Sequence, residues 1–297
     1  MIVTKWKLSA FADEAGGSTV EQIAALQKAG IQHIDPRNVD GYNITELPLD
    51  LAEKIAADYA KAGLTVNMYG SPLGKIDLAD DFAIDRKKLT HLGELSKIFG
   101  AKAVRIFSYY NKKKQAGAAE FQRASLDRLK GLIDIAEKYD LVLYHENEGA
   151  IFGEKLVNIR VLRDELRAKY PNRFKLIFDF DNYNHASEDV WTNWLELRDA
   201  TDAIHLKDSK WMPGSDKPQH VPAGNGNGRI PEILADAARR GWTGPLTLEP
   251  HLTYSKAVLA TGPGGEPNMD FAKLTPAESF QAAATAAIKL LKQVDRA

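Results

Sequence analysis

Glu146, Asp179, His205 and Glu249 each stand at the end of a short run rich in β-branched or aromatic residues. The intervals between them are 33, 26 and 44 residues, each long enough for one strand and one helix. Three carboxylates and one neutral imidazole, brought to one point, form a ligand set for a hard or borderline divalent cation, with positions left for water or substrate oxygens. The set suits manganese first, with magnesium, cobalt or zinc served by the same atoms. Without a cation, three carboxylates so close would repel and raise one another's pKa values. Taken singly, each has a plainer explanation: an acid at a strand end is commonly a helix cap or ion-pair partner, and a lone strand histidine a satisfied polar group. The recurrence on four consecutive strands is what carries the inference.

Neighbouring residues extend the set. His145 precedes Glu146, so strand alternation aims it away from the ligands, although a relaxed pleat at the strand end would let it act as a base beside the metal. Lys207 follows His205 by two and falls on the ligand side, free to hold a substrate group or to pair with Asp208 or Asp179. Strand six also ends with Asp181 and Asn182, and strand eight with His251. Arg37, Lys75 and Arg105 lie at or just past the ends of strands two, three and four. Such an arc suits a phosphate or carboxylate, or, for Arg37, ion pairs with Asp13, Glu14 and Asp35. Phe11, Trp211 and Tyr183 are candidates for an apolar wall.

These residues need a scaffold that gathers strand ends at one face. Strand-like runs fall at 6–12, 31–35, 64–69, 101–108, 141–148, 175–181, 202–208 and 245–250. Amphipathic stretches separate them: 18–29, 49–62, 85–99, 118–139, 155–170, 187–198, 231–240 and 276–294. Ser18 opens the first as a cap, with Val20, Ile23, Leu26 and Gln27 along one side. Four of the helices stop at Gly30, Gly63, Gly100 and Gly241, just before the next strand. Eight βα units with no evident antiparallel hairpin predict one (β/α)8 barrel domain over residues 1–297, whose strand C-termini form the functional face. The stretch after the first strand, ADEAGG, lacks the G-x-G-x-x-G of an open nucleotide-binding sheet. Two long loops, 209–228 and 253–273, hang on that face, the second a candidate lid or subunit contact.

Composition narrows the classes. A net charge of -1 gives no basic excess for nucleic acid. There is no cysteine, hence no disulfide, thiolate ligand or cysteine nucleophile. No run of about 18 apolar residues marks a membrane span, and the first residues carry no secretory signal, so a cytoplasmic protein is expected.

The same residues resemble the xylose-isomerase-like barrel superfamily of sugar isomerases and epimerases, which also includes the second family of apurinic endonucleases. The resemblance runs nearly end to end, through FADE at 11–14, SPLGKI at 71–76, HENEGAIFG at 145–153, FDFDNY at 178–183, HLKD at 205–208, AGNGNG at 223–228 and LTLEP at 246–250. It implies a metal held by Glu146, Asp179, His205 and Glu249, with Glu146 and Glu249 also the proton-transferring pair. A histidine of the family falls at Asn182 here, and its second substrate-contacting glutamate has only Glu148 or Glu154 to match. Both departures bear on the substrate and leave the ligand set whole.

The activity so implied is a metal-dependent sugar isomerase or epimerase that removes a proton next to a carbonyl, with the metal stabilising the oxyanion. Some superfamily members instead cleave 3-oxo-glycosides, including C-glycosides, by β-elimination with a small partner subunit, and His145 would suit that base. An abasic-site endonuclease would need a histidine-rich three-zinc cluster, and a non-catalytic binding protein would be expected to lose its ligands. The expected partner is a small sugar or oxidised sugar, with a homo-oligomer or a small partner subunit as further possibilities.

Overall fold

A computed structural model of the chain describes residues 5–114, 116–253, 270–271 and 273–295. Each strand-like run contains a strand: β1 (Lys7–Ala10), β2 (His33–Ile34), β3 (Met68–Leu73), β4 (Ala103–Ile106), β5 (Val142–Glu146), β6 (Phe174–Asp179), β7 (Thr201–Leu206) and β8 (Pro245–Leu248). Seven of them pair in parallel in the order β1-β8-β7-β6-β5-β4-β3. β2 fills the remaining gap. The Asp35 N–H donates to the Ala10 carbonyl at 3.0 Å on one side, and the Asn67 N–H to the Ile34 carbonyl at 2.9 Å on the other. The ring is the (β/α)8 barrel that the alternation predicts.

Around it lie α1 (Thr19–Ala29), α2 (Leu49–Lys61), α3 (Ala83–Phe99), α4 (Ala118–Lys138), α5 (Leu156–Leu162), α6 (Phe180–His185), α7 (Val190–Leu197), α8 (Ile230–Arg239) and α9 (Pro276–Val294). Ser18 caps α1 in a reciprocal pair with Glu21, and Thr275 caps α9 likewise with Glu278. Gly30 and Gly100 end α1 and α3 in the left-handed region, at φ 73° in both cases, where a side chain would be strained. The inward side of α1 differs from expectation. Val20 is 76% exposed, while Gln22 is buried, donating to the carbonyls of Gly16 and Asn38. A hydrogen-bonded amide displaced an apolar residue from that face.

Three local features were not anticipated. The helix expected over 155–170 changes to a wider π turn at Arg163–Arg167. The residues after β6 coil at once into α6. Among the described residues there are two hairpins, Asn38–Val39 with Tyr42–Asn43 and Asp208–Lys210 with Gln219–Val221. Strands of two or three residues are too short to leave an alternating pattern in sequence. The loop at 209–228 therefore carries structure; of the loop at 253–273, residues 254–269 and 272 lie outside the described residues.

Burial divides into an outer core between strands and helices and a small inner one. The inner core is Met68, Ile177 and Ala203, with Ala103 and Tyr144 against them. Those five side chains come from β3, β6, β7, β4 and β5, and fix which parity of each strand faces the barrel axis.

Candidate metal centre

Counting on by two from the inner core gives the site. Tyr144 leads to Glu146, Ile177 to Asp179, Ala203 to His205, and Ala103 to Arg105. His205 is the direct register partner of both Asp179 and Thr247, and Glu249 lies two past Thr247. All four ligand candidates therefore point inward at the C-terminal end of the barrel, and all are buried. One donor atom from each lies within 4.8 Å of those of the other three. The His205 Nδ1 is 3.1 Å from Glu146 Oε1, 3.1 Å from Glu249 Oε2 and 3.9 Å from Asp179 Oδ2. An octahedral ion with bonds of about 2.1 Å sets adjacent ligand atoms about 3.0 Å apart. The observed edges are close to that, so a small closure of Asp179 would complete the set.

Below the cluster, Asp35 accepts from Ser9 Oγ at 2.6 Å, Thr247 Oγ1 at 2.5 Å, Asn67 Nδ2 at 2.9 Å and the Met68 N–H at 3.0 Å. This buried knot ties β1, β8, β3 and β2 and gives the mouth a polar floor. Phe11 forms one wall. Its ring meets His205 edge-on at 5.5 Å, and the guanidinium groups of Arg37 and Arg105 stack over it at 4.6 and 4.7 Å.

The charge balance is informative. Arg37 binds Asp13, Glu14 and Glu249 at 2.9, 3.3 and 3.1 Å; Arg105 binds Glu146 at 3.2 Å; Lys207 binds Asp179 at 3.1 Å. Five carboxylates thus face three permanent cations. Among these pairs negative charge exceeds permanent positive charge, which favours a bound cation. The electrostatics of the cluster answer that imbalance with protons. Burial opposes charge on His205, but Glu146 and Glu249 overcome burial and raise its pKa to about 9. Burial, reinforced by Glu146, Asp181 and Glu249, pushes Asp179 well above the carboxylate range despite Lys207. Burial would also raise Glu146 and Glu249, yet their cationic neighbours hold both below the usual range. The carboxylates thus favour a proton on His205, and burial favours the neutral form of Asp179; a divalent ion would supply that positive charge instead.

The other expected residues divide. Asn182 reaches the centre, its Nδ2 3.3 Å from Glu146 Oε1 and donating to the Asn147 carbonyl at 2.7 Å. Lys207 and Arg105 contact the ligand carboxylates directly. Arg37 pairs with Asp13, Glu14 and Glu249 rather than Asp35, and so belongs to the centre instead of to an opposing anion-binding arc. Glu148 pairs with Lys75 at 2.7 Å at the rim, both part-buried. His145 is not brought to the cluster. Alternation holds to the last residue of β5, and its ring lies behind the strand, stacked 6.1 Å from Phe174 and filling the space where a Cβ on Gly153 would go. Burial lowers its pKa to about 3, so it is neutral there. Its proposed role as a base beside the metal is corrected by this placement. Tyr183 packs against Phe178 in the outer core, and Trp211 is 38% exposed on the hairpin after β7.

The pairings of three further residues were not legible in the sequence. Asn147 exchanges two hydrogen bonds with Asp179, His251 donates its N–H and offers Nδ1 to Glu14 at 2.8 Å in both contacts, and Asp35 forms the floor. Strand parity would have flagged Asp35, two positions before Arg37; nothing local marks the pairings of Asn147 or His251.

Several solved structures share this fold. The IolI protein with a bound zinc atom superposes with a TM-score of 0.72 at 15% identity, covering 97% of this chain and 99% of that one. The probable 3-DHS dehydratase AsbF from Bacillus anthracis gives 0.69 at 15%, covering 95% and 98%. The 3-keto-D-glucoside 4-epimerase YcjR from E. coli gives 0.65 at 15%, covering 96% and 99%. Among proteins of curated function none matches the sequence. Among the described residues no helix is long and apolar enough to cross a membrane. The family model of the xylose isomerase-like TIM barrel matches residues 12–266, and the chain belongs to that family.

Proposed function

We propose that the chain is a divalent-metal-dependent isomerase or epimerase of a small sugar or oxidised sugar, working by proton transfer next to a carbonyl. One observation carries this reading: Glu146, Asp179, His205 and Glu249 converge, buried, within one ion's reach at the barrel's C-terminal mouth. The likeness to a 3-keto-D-glucoside 4-epimerase and to a zinc-containing barrel agrees with it. A cation bound there would act as a Lewis acid toward a carbonyl oxygen, worth several kcal/mol to the transition state.

The residues of the chain supply the remainder. Glu146 and Glu249 arrive from β5 and β8 on either side of His205 and are both held ionised, so one can accept a proton while the other, once protonated, returns one. Lys207 and Asn182 provide donors beside them for hydroxyl groups. Arg105 and Phe11 exclude water from the axis side. Glu148 and Lys75, paired at the rim, would meet the far end of a sugar.

A second reading, a lyase acting by β-elimination on a 3-oxo-glycoside or a dehydration substrate, is favoured by the likeness to a probable dehydratase. With His145 behind the strand, its base would also have to be Glu146 or Glu249, so both readings share one centre. Metal analysis followed by a screen of ketoses, inosose-like ketones and 3-oxo-glycosides in deuterated water tests them. Deuterium at one carbon without bond cleavage supports the epimerase, and release of an aglycone or water supports the lyase. Unchanged turnover in Glu146→Gln or Glu249→Gln would overturn both.

A further inference from the structure

A second set of ligating groups lies outside this chemistry. Asp181 and His185 are one turn apart on α6, and His220 reaches them from the strand Gln219–Val221 of the hairpin after β7. Asp181 Oδ2 is 3.3 Å from His220 Nδ1, and Asp181 Oδ1 is 3.7 Å from His185 Nε2. The two imidazole centroids are 5.3 Å apart, and one donor atom from each of the three residues lies within 4.8 Å of the others. The Asp181 side chain is only 1% exposed, and its oxygens face only the two imidazoles; Oδ1 and His185 Nε2 make no hydrogen bond among the described residues. Buried carboxylate oxygens are seldom left so.

The spacing is that of a coordination shell. A tetrahedral ion with bonds of about 2.0–2.1 Å holds its ligand atoms about 3.3 Å apart. Asp181 turns one oxygen to each imidazole, at 3.3 and 3.7 Å, and with one donor atom per residue the three lie within 4.8 Å, so a side-chain closure of about 1 Å would bring them to that spacing. Two imidazoles and one carboxylate favour a borderline ion over magnesium or calcium. The frame is already set: Asn184 Nδ2 donates to the Ser209 carbonyl and Oγ at 3.1 and 2.8 Å, and Trp211 Nε1 donates to Asn184 Oδ1 at 3.1 Å. These bonds fasten α6 to the hairpin whether or not an ion is present. His185, 22% exposed, opens the fourth corner to solvent, for a water or a substrate oxygen.

We propose that Asp181, His185 and His220 bind a second divalent cation of the zinc class, separate from the one at Glu146, Asp179, His205 and Glu249. The inference does not rest on the proposed reaction.

The test uses the full chain, stripped with a chelator and titrated with cobalt(II), with bound metal counted after gel filtration. Wild type is expected to bind two ions per chain, one of them giving the intense visible bands of tetrahedral cobalt. His185→Ala, and Asp181→Asn as a near-isosteric variant that keeps the packing, should each bind one ion and lose those bands. Glu249→Gln should keep them. If that variant keeps the bands and wild type binds only the ion that His185→Ala loses, the second site stands and the first reading fails. A single ion in wild type that survives both His185→Ala and Asp181→Asn overturns the proposal, as does the absence of tetrahedral bands from wild type.

Discussion

Asn147 and Asp179 clasp each other across the ends of β5 and β6. Asn147 Nδ2 donates to the Asp179 carbonyl at 3.0 Å, and the Asp179 N–H donates to Asn147 Oδ1 at 2.9 Å. Both residues are fully buried. The pair fixes the spacing of two strands whose final residues, Glu146 and Asp179, are ligand candidates. Asn147→Ala would strand two buried backbone groups, a loss of about 2–4 kcal/mol in stability. It should also loosen the separation of Glu146 from Asp179 and weaken cation binding at least tenfold. Urea unfolding and a competitive metal titration check both, and wild-type values in either would show that the clasp does not position the ligands.

Cation binding should expel the proton that His205 holds, together with any on Asp179. A pKa of about 9 leaves His205 protonated near neutral pH, and burial raises that of Asp179. A ligand must be deprotonated to bind, so affinity rises with pH and falls in acid. Isothermal titration in buffers of differing ionisation enthalpy should report about one proton released per ion from His205 at a pH between 6 and 8, and more if Asp179 also holds one. A chelated sample should regain thermal stability on adding manganese, by about 2.7 kcal/mol at a hundredfold excess over Kd. Binding without proton release would mean that the three nearby cations already neutralise the cluster.

Much of this centre was legible in the sequence because a barrel strand has a period of two and a fixed functional end. Once Glu146, Asp179, His205 and Glu249 were placed at strand ends, parity put all four on one axis, and the same rule correctly pointed His145 away. What sequence did not show are contacts between distant segments. Asn147 with Asp179, His251 with Glu14, and Asp35 with Ser9 and Thr247 leave no spacing to recognise. The turn from β6 into α6 was hidden because FDFD continues a strand-like alternation through Asp181. The i, i+4 spacing of Asp181 and His185 could have been noticed as one helical face, but His220 joins them only through the hairpin.

Asp85 makes stability depend on pH in the less usual direction. Its carboxylate is fully buried against the loop after β3, where Oδ2 accepts from the Gly74 N–H at 2.9 Å. Burial lifts its pKa to about 6, from 3.8 for an ordinary aspartate. Between those values the unfolded chain ionises while the folded one stays protonated, so stability falls as pH rises from about 4 to 6 and levels off above. The full span is about 3 kcal/mol. Asp85→Asn keeps an acceptor for Gly74 and cannot ionise, so its melting temperature should exceed that of wild type at pH 8 and match it at pH 4. A constant difference at both pH values would show that the effect is packing.

Two glycines of AGNGNG, Gly226 and Gly228, are crowded by one carboxylate. Asp208, at the start of the hairpin after β7, accepts from the N–H groups of Gly224, Gly226 and Gly228 at 2.9, 2.8 and 3.0 Å. Burial still raises its pKa to about 6, so the three bonds offset only part of the desolvation. A Cβ on Gly226 would run into Asp208 Oδ1 and the Ser209 carbonyl, neither of which can yield without breaking this ring. A Cβ on Gly117, ahead of α4, meets nothing within 4 Å. Gly226→Ala should therefore cost about 1–3 kcal/mol, and Gly117→Ala close to nothing. Because the Trp211 N–H donates to Asn227 Oδ1 at 2.8 Å in the same loop, the tryptophan emission should shift in the first variant alone. Equal stability and equal emission in the two variants would mean that the loop is held by some other contact than Asp208.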